Sequence, residues 1–420
     1  MIQLIRGFRD ILPGESERWQ AIEDTARAVL SDFGFREIRI PILEATELFT
    51  RSIGENTDIV EKEMYTFEDR KGDFVTLRPE ATASIVRSYI QHKLYAGDPF
   101  HKLFTTGPMF RRERPQKGRY RQFYQINAEV LGSDSPLIDA QLVFILKILF
   151  SKLGVSDTTA HINSLGCPVC RPAFKKALID HVVGMDTKLC VDCARRKTKN
   201  PLRLLDCKVP SCREAMAKAP DMMAFLCPDC REHFQRFKTA LSVLGVAYVT
   251  DPRLVRGLDY YTRSTFEIQT NALGAQNAIA GGGRYDGLVK ALGGPEMPAT
   301  GFAIGLDRLA EILKNDTELQ TGHPKVFIAA IGRESREKAF EWVCRLNEKG
   351  IPAEMDFGDR GLKAQMKRAD KLASRYVIIV GEKELSAKTA VLRNMSEAQQ
   401  EAIPFSMLIK MVIERIANAS

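Results

Sequence analysis

The stretch FRRERPQKGRYRQFYQINAEVL, residues 110–131, decides the fold that we predict for this chain. Its first half is a loop that carries six lysine or arginine side chains between residues 111 and 121. Its second half alternates like a β-strand, with one apolar face and one face that carries Gln125, Asn127 and Glu129. Polar groups within a sheet are unfavourable unless a partner hydrogen-bonds to them. The polar row therefore marks this strand as a candidate floor for a bound molecule.

Two ordinary explanations compete with a binding site here. A polar strand face can simply be exposed to solvent, and an arginine-rich loop can be the solvated tip of a hairpin. A strand, an arginine loop and a polar-faced strand are also an arrangement that could hold phosphates over a small molecule. Arginine suits that purpose because its planar guanidinium group binds two phosphate oxygens at once. Because the two features adjoin, we favour the binding site.

The chain around this stretch predicts an α+β domain over residues 1–322, with a mainly antiparallel sheet and flanking helices. Apolar residues recur at helical spacing over residues 19–33 and predict a first helix. Strand-like runs follow at residues 38–42, 74–77, 102–105, 122–131, 265–269 and 302–304.

A second domain is predicted over residues 324–420, after a polar stretch at 314–324 that is typical of a linker. Strands at 326–331, 351–357 and 376–380 alternate with helices at 336–349 and 362–374. One further strand and a final amphipathic helix complete the pattern. This alternation predicts a small doubly wound α/β domain.

Residues 167–240 interrupt the strand series and are basic, mostly helical and rich in cysteine, so we interpret them as an insertion. They contain eight of the nine cysteines, in four close pairs: Cys167 with Cys170, Cys190 with Cys193, Cys207 with Cys212, and Cys227 with Cys230. Disulfides are not expected in a reducing cytoplasm, whereas this spacing matches zinc sites. Eight thiolates would make two closed, structural zinc sites; the pairing stays open, and unliganded thiols are the alternative. Cys344 stands apart and is predicted to be a core thiol.

The net charge of +8 is unevenly distributed. Residues 167–240 hold 15 lysines and arginines against 8 acidic residues, and residues 324–420 hold 17 against 13. Two separate basic regions fit a long polyanion better than a small ligand. The longest apolar stretch, residues 137–150, is too short and too charged to span a bilayer, and residues 1–14 lack a secretory apolar segment. We therefore expect a cytoplasmic protein with no membrane partner.

Several segments resemble the class II aminoacyl-tRNA synthetases. Phe110-Arg111-x-Glu113 with its loop and strand resembles motif 2, residues 301–309 (GFAIGLDRL) resemble motif 3, and the stretch around Pro41 resembles motif 1. Three further segments resemble the histidine-specific members: residues 76–82 (TLRPEAT), 254–261 (LVRGLDYY) and 280–287 (AGGGRYDG). The resemblance covers essentially the whole chain.

The resemblance implies an ATP-dependent enzyme that ligates L-histidine to the histidine tRNA through a histidyl-adenylate, working as a homodimer with magnesium on the nucleotide. The resemblance also implies that Arg111 and Arg256 are catalytic residues. The implied histidine-binding residues are Glu80, Thr82, Arg111, Gln125, Glu129, Arg256, Tyr260, Tyr261 and Tyr285. The implied ATP-binding residues are Arg111, Glu113, Arg121 and Arg308, and Arg114 and Gln116 would contact the tRNA acceptor end. Residues 1–322 would be the catalytic domain and residues 324–420 the anticodon-binding domain.

Two other functions remain to be weighed. Histidine-binding regulatory subunits resemble the same catalytic domain but lack the anticodon domain; Arg111, Arg256, Arg308 and residues 324–420 argue against that class. A zinc-dependent nucleic-acid-binding module would explain the cysteines but not the arginine-lined sheet. Ala81 is a local departure, because many family members have glycine between Glu80 and Thr82. The cysteines are a larger departure, so the resemblance itself does not imply the zinc.

Overall fold

The computed structural model describes residues 2–54, 57–115, 118–273, 277–313 and 324–417. The chain divides into two compact units, residues 1–317 and 318–420. The predicted linker at 314–324 lies, except for its last residue, outside the described residues.

An eight-stranded mixed sheet forms the centre of the first unit, in the order β1-β5-β6-β11-β10-β9-β7-β8. Its members are β1 (Arg36–Glu37), β5 (His101–Phe110), β6 (Gln122–Leu131), β7 (Thr159–Ser164), β8 (Tyr248–Thr250), β9 (Thr262–Gln269), β10 (Ala278–Arg284) and β11 (Ala299–Gly305). The six inner strands pair antiparallel, and the short edge strands β1 and β8 pair parallel with their neighbours. The predicted antiparallel character therefore holds for the inner strands, and the edges make the sheet mixed.

Helices cover one face of this sheet and bury the apolar side of β6. They are α1 (Ser16–Asp32), α4 (Pro136–Lys152), α8 (Pro228–Val243) and α10 (Leu306–Ile312). Ile126, Ala128 and Val130 point into a core formed with residues of these helices. Because side chains alternate along a strand, Gln125, Asn127 and Glu129 are left on the opposite face, as the sequence predicted.

A smaller layer lies beyond that opposite face. A three-stranded antiparallel sheet has the order β2-β4-β3, with β2 (Leu43–Ala45), β3 (Tyr65–Glu68) and β4 (Phe74–Leu77). The helices α2 (Thr46–Ile53), α3 (Thr82–Gln91) and α9 (Leu288–Ala291) accompany it, together with one π-helical turn, Ile59–Glu63.

The cysteine-rich segment, residues 167–240, lies between β7 and β8 and is built of short helices. These are α5 (Arg171–His181), α6 (Val191–Lys199), α7 (Pro210–Ala215) and the first part of α8, with 3-10 turns at 186–188, 201–204 and 222–225.

The second unit contains a five-stranded sheet in the order β13-β12-β14-β15-β16. Its strands are β12 (Val326–Ala330), β13 (Ala353–Met355), β14 (Tyr376–Val380), β15 (Thr389–Asn394) and β16 (Gln400–Pro404). Its helices are α11 (Arg333–Glu348), α12 (Leu362–Lys371), α13 (Glu382–Ala387) and α14 (Phe405–Ala417).

Two predictions for the second unit were wrong. The doubly wound parallel pattern stops at β14, because β15 and β16 form an antiparallel hairpin where we predicted a single strand. Cys344 is exposed, because α11 turns Trp342, Val343 and Leu346 inward and leaves position 344 on its outer face. Among the residues that the structure describes, no helix is long and apolar enough to cross a bilayer.

Candidate active site

A cavity of about 270 Å³ lies over the polar face of β6, β10 and β11. It is lined by most of the predicted site residues: Glu80, Thr82, Arg111, Glu113, Gln125, Glu129, Arg256, Tyr260, Tyr261 and Arg308. These residues come from parts of the chain that lie more than 200 positions apart. The sheet therefore brings cations, carboxylates and tyrosines from distant segments to one small site.

Two buried carboxylates line one end of the cavity. Glu80 accepts hydrogen bonds from the backbone N–H groups of Thr82 (2.7 Å) and Ala83 (2.9 Å), which belong to the first turn of α3. The Thr82 hydroxyl donates to Glu129 Oε1 at 2.7 Å, and the Tyr285 hydroxyl donates to Glu129 Oε2. Burial raises the pKa of Glu80 and raises that of Glu129 to about 8. A cationic group bound here would restore the charge of these carboxylates, so this end of the cavity suits an ammonium or imidazole group.

Three tyrosine rings pack against one another beside the carboxylates, in tilted and edge-to-face arrangements. The ring centroids of Tyr260 and Tyr261 are 4.8 Å apart, and those of Tyr260 and Tyr285 are 5.5 Å apart. Burial raises the pKa of all three hydroxyls, so they stay neutral and can donate hydrogen bonds. Tyr285 does not line the cavity itself; it lies behind Glu129 and orients that carboxylate.

Three guanidinium groups face the other part of the cavity. The Arg111 side chain donates from Nε to the Pro79 carbonyl oxygen (2.9 Å) and lies over the Phe123 ring at 5.2 Å. Arg256 Nη1 donates to Glu267 Oε1 at 2.5 Å, and Arg308 Nη1 donates to the Ala278 carbonyl oxygen at 2.7 Å. Burial, together with the nearby charges of Arg119 and Arg111, lowers the pKa of Arg308. Such crowding of cations favours an anionic ligand.

Several polar atoms of the cavity have no hydrogen-bond partner among the described residues. Among them are Gln125 Oε1, Asn127 Oδ1 and Arg256 Nε, and all three are buried. Buried polar atoms are nearly always hydrogen-bonded in a complete structure. We therefore expect a ligand to supply the missing partners.

Besides Tyr285, three further predicted site residues are not among the residues that line the cavity. Arg121 Nη1 donates to the Arg6 carbonyl oxygen at 3.3 Å, so this side chain turns toward the N-terminal segment. Arg114 is exposed and is not part of the described lining, and Gln116 lies outside the described residues.

Glu267 was missed by the sequence reasoning. It projects from β9, lines the cavity and holds Arg256. Its strand carries many polar residues on both faces, so the sequence contains no signal that separates Glu267 from its neighbours. Asp307 was also missed: it lines the cavity, accepts from the Tyr124 N–H (2.9 Å) and pairs with Arg9 (3.2 Å). Its place next to Arg308 could have indicated it.

A second, larger cavity of about 1010 Å³ opens beside the first. Both are lined by Arg111, Arg256 and Arg308, and the second is also lined by residues 203–208 of the cysteine-rich segment. The cysteine-rich segment is therefore one wall of the approach to the site.

The eight cysteines of this segment form two groups of four, which resolves the pairing that spacing left open. The first cluster is Cys167, Cys170, Cys227 and Cys230, and the second cluster is Cys190, Cys193, Cys207 and Cys212. Within each cluster the sulfur atoms all lie within 4.8 Å of one another.

The sulfur spacing fits zinc rather than disulfides. Sulfur atoms at the corners of a tetrahedron, each about 2.3 Å from zinc, lie about 3.8 Å apart, whereas a disulfide requires about 2.05 Å. The Sγ–Sγ distances are 3.6 Å for Cys167–Cys170, 3.9 Å for Cys167–Cys227 and 3.9 Å for Cys190–Cys207. Backbone N–H groups also point at sulfur, since the Cys190 N–H donates to Cys212 Sγ at 3.1 Å.

Comparisons with family models, related sequences and solved structures all indicate the same family. The histidyl-tRNA synthetase family model matches residues 7–309, and an anticodon-binding domain model matches residues 325–415. The histidine–tRNA ligase of Desulfosudis oleivorans is 59% identical over 100% of both chains, and that of Geobacter sulfurreducens is 54% identical over 97% of this chain and 98% of its own. The apo histidyl-tRNA synthetase structure from S. aureus superimposes with a TM-score of 0.82 at 33% identity, covering 98% of this chain and 99% of that one.

The mixed sheet, the arginine-lined cavity and these matches define a class II aminoacyl-tRNA synthetase. Within that class, the chain belongs to the histidyl-tRNA synthetase family.

Proposed function

We infer that this protein is an enzyme that uses ATP to ligate L-histidine to its cognate tRNA. In the first step the histidine carboxylate attacks the α-phosphorus of ATP, forming histidyl-adenylate and releasing pyrophosphate. In the second step a hydroxyl of the 3′-terminal adenosine of the tRNA attacks the activated carbonyl and releases AMP. The observation that carries this inference is that Arg111, Arg256 and the carboxylates Glu80 and Glu129 line one cavity.

We propose that the carboxylate end of the cavity binds histidine. Glu80 and Glu129 would receive its ammonium and imidazole N–H groups, with Thr82, Gln125, Tyr260 and Tyr261 around them. Tyr285 would act through Glu129, which it already holds.

The proposed catalytic residues are Arg111 and Arg256. Negative charge builds around the α-phosphorus during attack, and two fixed cations aimed there stabilise that transition state more than the ground state. Arg308 and Glu113 would bind the rest of ATP. Arg121 would have to turn away from Arg6 to join them.

Magnesium would accompany ATP and neutralise the leaving pyrophosphate. Its preference for carboxylate oxygens fits Glu113 and Glu267, which line the same cavity as the arginines.

We propose that the second unit contributes tRNA binding, because an anticodon-binding domain model matches it. Arg114 and Gln116 would contact the acceptor end. In this assignment residues 1–322 are the catalytic domain, interrupted by an insertion at 167–240, and residues 324–420 are the anticodon-binding domain. The enzyme would act in the cytoplasm.

A homodimer is also part of the proposal. The motif 1 region exposes apolar side chains at Ile42 and Leu43, and the adjoining small sheet exposes Phe67 and Phe74. Exposed apolar residues in one area are typical of an interface.

We further propose that each cysteine cluster binds one structural zinc ion. Four thiolates leave no open coordination position for catalysis, so the metal would stabilise the fold. The expected metal content is two zinc ions per chain.

Pyrophosphate exchange tests the proposed function. With each of the twenty amino acids supplied in turn, we expect exchange into ATP with histidine alone. Exchange with another amino acid, or with none, would reject the assignment.

A further inference from the structure

A row of cations connects the second cysteine cluster to one wall of the active site. On α6, Arg196 Nη2 donates to Asp58 Oδ2 at 2.6 Å, and Arg195 forms an ion pair with Glu61. Lys199 approaches Glu61 at 3.5 Å, and Arg203 approaches Asp58 at 3.7 Å. All four cations lie between Cys193 and Cys207, so they occupy the chain that the cluster closes.

The stretch between Cys193 and Cys207 also contacts residues 257–259, which form a second part of this wall. Asn200 Nδ2 donates to Asp259 Oδ1 at 2.7 Å, and Asp259 adjoins Tyr260 of the proposed histidine pocket. The Arg203 guanidinium group lies directly against Gly257, where an added Cβ would be 3.0 Å from Nη1.

The residues that are held in this way shape the cavity. Ile59, Gly257 and Leu258 line it, and Ile59 and Leu258 pack into one small hydrophobic cluster with residues of α2. The segment 57–63 also carries the Glu63 carbonyl oxygen, which accepts from the Arg112 N–H at 2.7 Å, next to Arg111. Movement of segment 57–63 would therefore disturb both ends of the substrate site.

The segment that carries these four cations needs the second cysteine cluster to stay ordered. Between Cys190 and Cys212 the chain forms α6, of nine residues, the first residues of α7 and a 3-10 turn. Helices this short are not stable alone in water and must be held by packing or by a ligand. In small cysteine-rich units, metal binding supplies much of the folding free energy.

The free energy that these ion pairs contribute depends on how rigid their side chains are before they pair. An ion pair between two flexible surface side chains contributes little, because both side chains lose freedom when they pair. Cationic side chains on a helix that a metal already fixes lose less conformational freedom when they pair. Their ion pairs with Asp58 and Glu61 therefore contribute more to stability.

We propose that a zinc ion in the second cluster acts as a clamp on the active site: by ordering residues 190–212, it holds segment 57–63 and residues 257–259 against the cavity. Zinc occupancy then sets the affinity for histidine, although no cysteine is among the residues that line the first cavity. The kinetic part of this inference rests on the proposed enzymatic function; the structural part rests only on the proposed zinc binding.

Two variants test the clamp from opposite ends. Cys190→Ser removes one ligand, and we expect zinc content to fall from two to one per chain and KM for histidine to rise about tenfold, with a smaller change in kcat. The double variant Asp58→Asn/Glu61→Gln keeps every cysteine, and we expect a similar rise in KM with zinc content unchanged.

Combining the variants distinguishes a clamp from separate damage. If zinc acts through Asp58 and Glu61, the triple variant raises KM no further than Cys190→Ser alone, within about twofold, because coupled residues are non-additive. If KM in the triple variant rises by the product of the two separate increases, the proposal is overturned. It is also overturned if Cys190→Ser loses zinc but its KM for histidine is unchanged. Matched controls are Cys344→Ser, outside both clusters, and Lys176→Ala, which removes an exposed ion pair with Asp180 in the same segment.

Hydrogen exchange of the full-length protein provides a readout without catalysis. Removal of zinc by a chelator should speed amide exchange in residues 57–63 at least tenfold, and restored zinc should reverse it. Unchanged exchange there would refute the clamp even in an active enzyme. Conversely, if the wild-type protein shows no histidine-dependent pyrophosphate exchange, the proposed function fails while this measurement still decides the clamp.

Discussion

Glu129, one of the proposed histidine-binding residues, lies in an environment that shifts its ionisation. It is 1% exposed and accepts hydrogen bonds from Thr82 and Tyr285, yet burial raises its pKa to about 8. In the empty site near neutral pH, the side chain is therefore largely protonated. In the proposed role of Glu129, histidine binds the carboxylate form, so its binding would release that proton.

The first prediction concerns the pH dependence of histidine binding. Because the carboxylate fraction grows as the pH rises toward about 8, KM for histidine should fall between pH 6.5 and 8 and level off above. Glu129→Gln should remove this fall, leaving only the ionisation of histidine itself. The difference between the two profiles should be on the order of tenfold over that range, since one pH unit changes a minor ionised fraction about tenfold. Parallel profiles in steady-state kinetics would contradict the assignment.

Arg256 is the second residue with a distinct expected effect. It lies 5.6 Å above the Tyr261 ring and pairs with Glu267, so it is already fixed before substrate arrives. Arg256→Ala should slow adenylate formation by about 10²–10³, the usual effect of removing one preorganised donor at developing charge. Affinity for tRNA should change far less. Single-turnover adenylate formation and a tRNA binding titration measure the two effects, and equal losses would disprove the catalytic role.

At the scale of elements, β11 can approach β6 closely because it lacks side chains where Glu129 needs space. Gly301 lies opposite Glu129 in the antiparallel register, and a Cβ at Gly301 would overlap the Glu129 carboxylate. The glycine thus creates the space in which this carboxylate lies.

Gly301→Ala should therefore destabilise the protein and impair histidine binding. Overpacking of this kind costs about 1–3 kcal/mol, which a denaturant titration would detect. Gly305→Ala, on the same strand, is the matched control for stability, because its nearest neighbour would be Arg308 Cδ at 4.0 Å. If both variants unfold at the same denaturant concentration, the steric argument fails.

The two faces of β6 show what the sequence could predict. Strict alternation from residue 122 to 131 separated the core side chains from Gln125, Asn127 and Glu129, because a strand has a period of two. The direction of Arg121 was not predictable, since it depends on a carbonyl group of Arg6 more than a hundred residues away. The hairpin of β15 and β16 was missed because two short strands joined by a turn resemble one longer polar strand.

Pairing of the cysteines illustrates the same limit. Each close pair is local and visible in the spacing. Cys167, however, lies in the same cluster as Cys227, 60 residues away, and the fold of the intervening helices determines this proximity. Glu267 likewise belongs to the site because of sheet order, not because of its neighbours in sequence.

For the whole molecule, the two units have separate hydrophobic cores. A chain that ends at residue 317 should therefore fold and retain histidine-dependent pyrophosphate exchange within about threefold, because the cavity is built from the first unit. Charging of tRNA should fall by at least tenfold. Comparing the two assays on one preparation tests this, and loss of pyrophosphate exchange in a folded truncated protein would show that the first unit is not sufficient.

Cys344 has a practical consequence that follows from its outward position on α11. If the other eight thiols are occupied by metal, this is the one thiol in the chain left to react with a maleimide reagent. A fluorophore could then be attached to the native second unit without engineering, and its emission would report the arrival of tRNA there in real time.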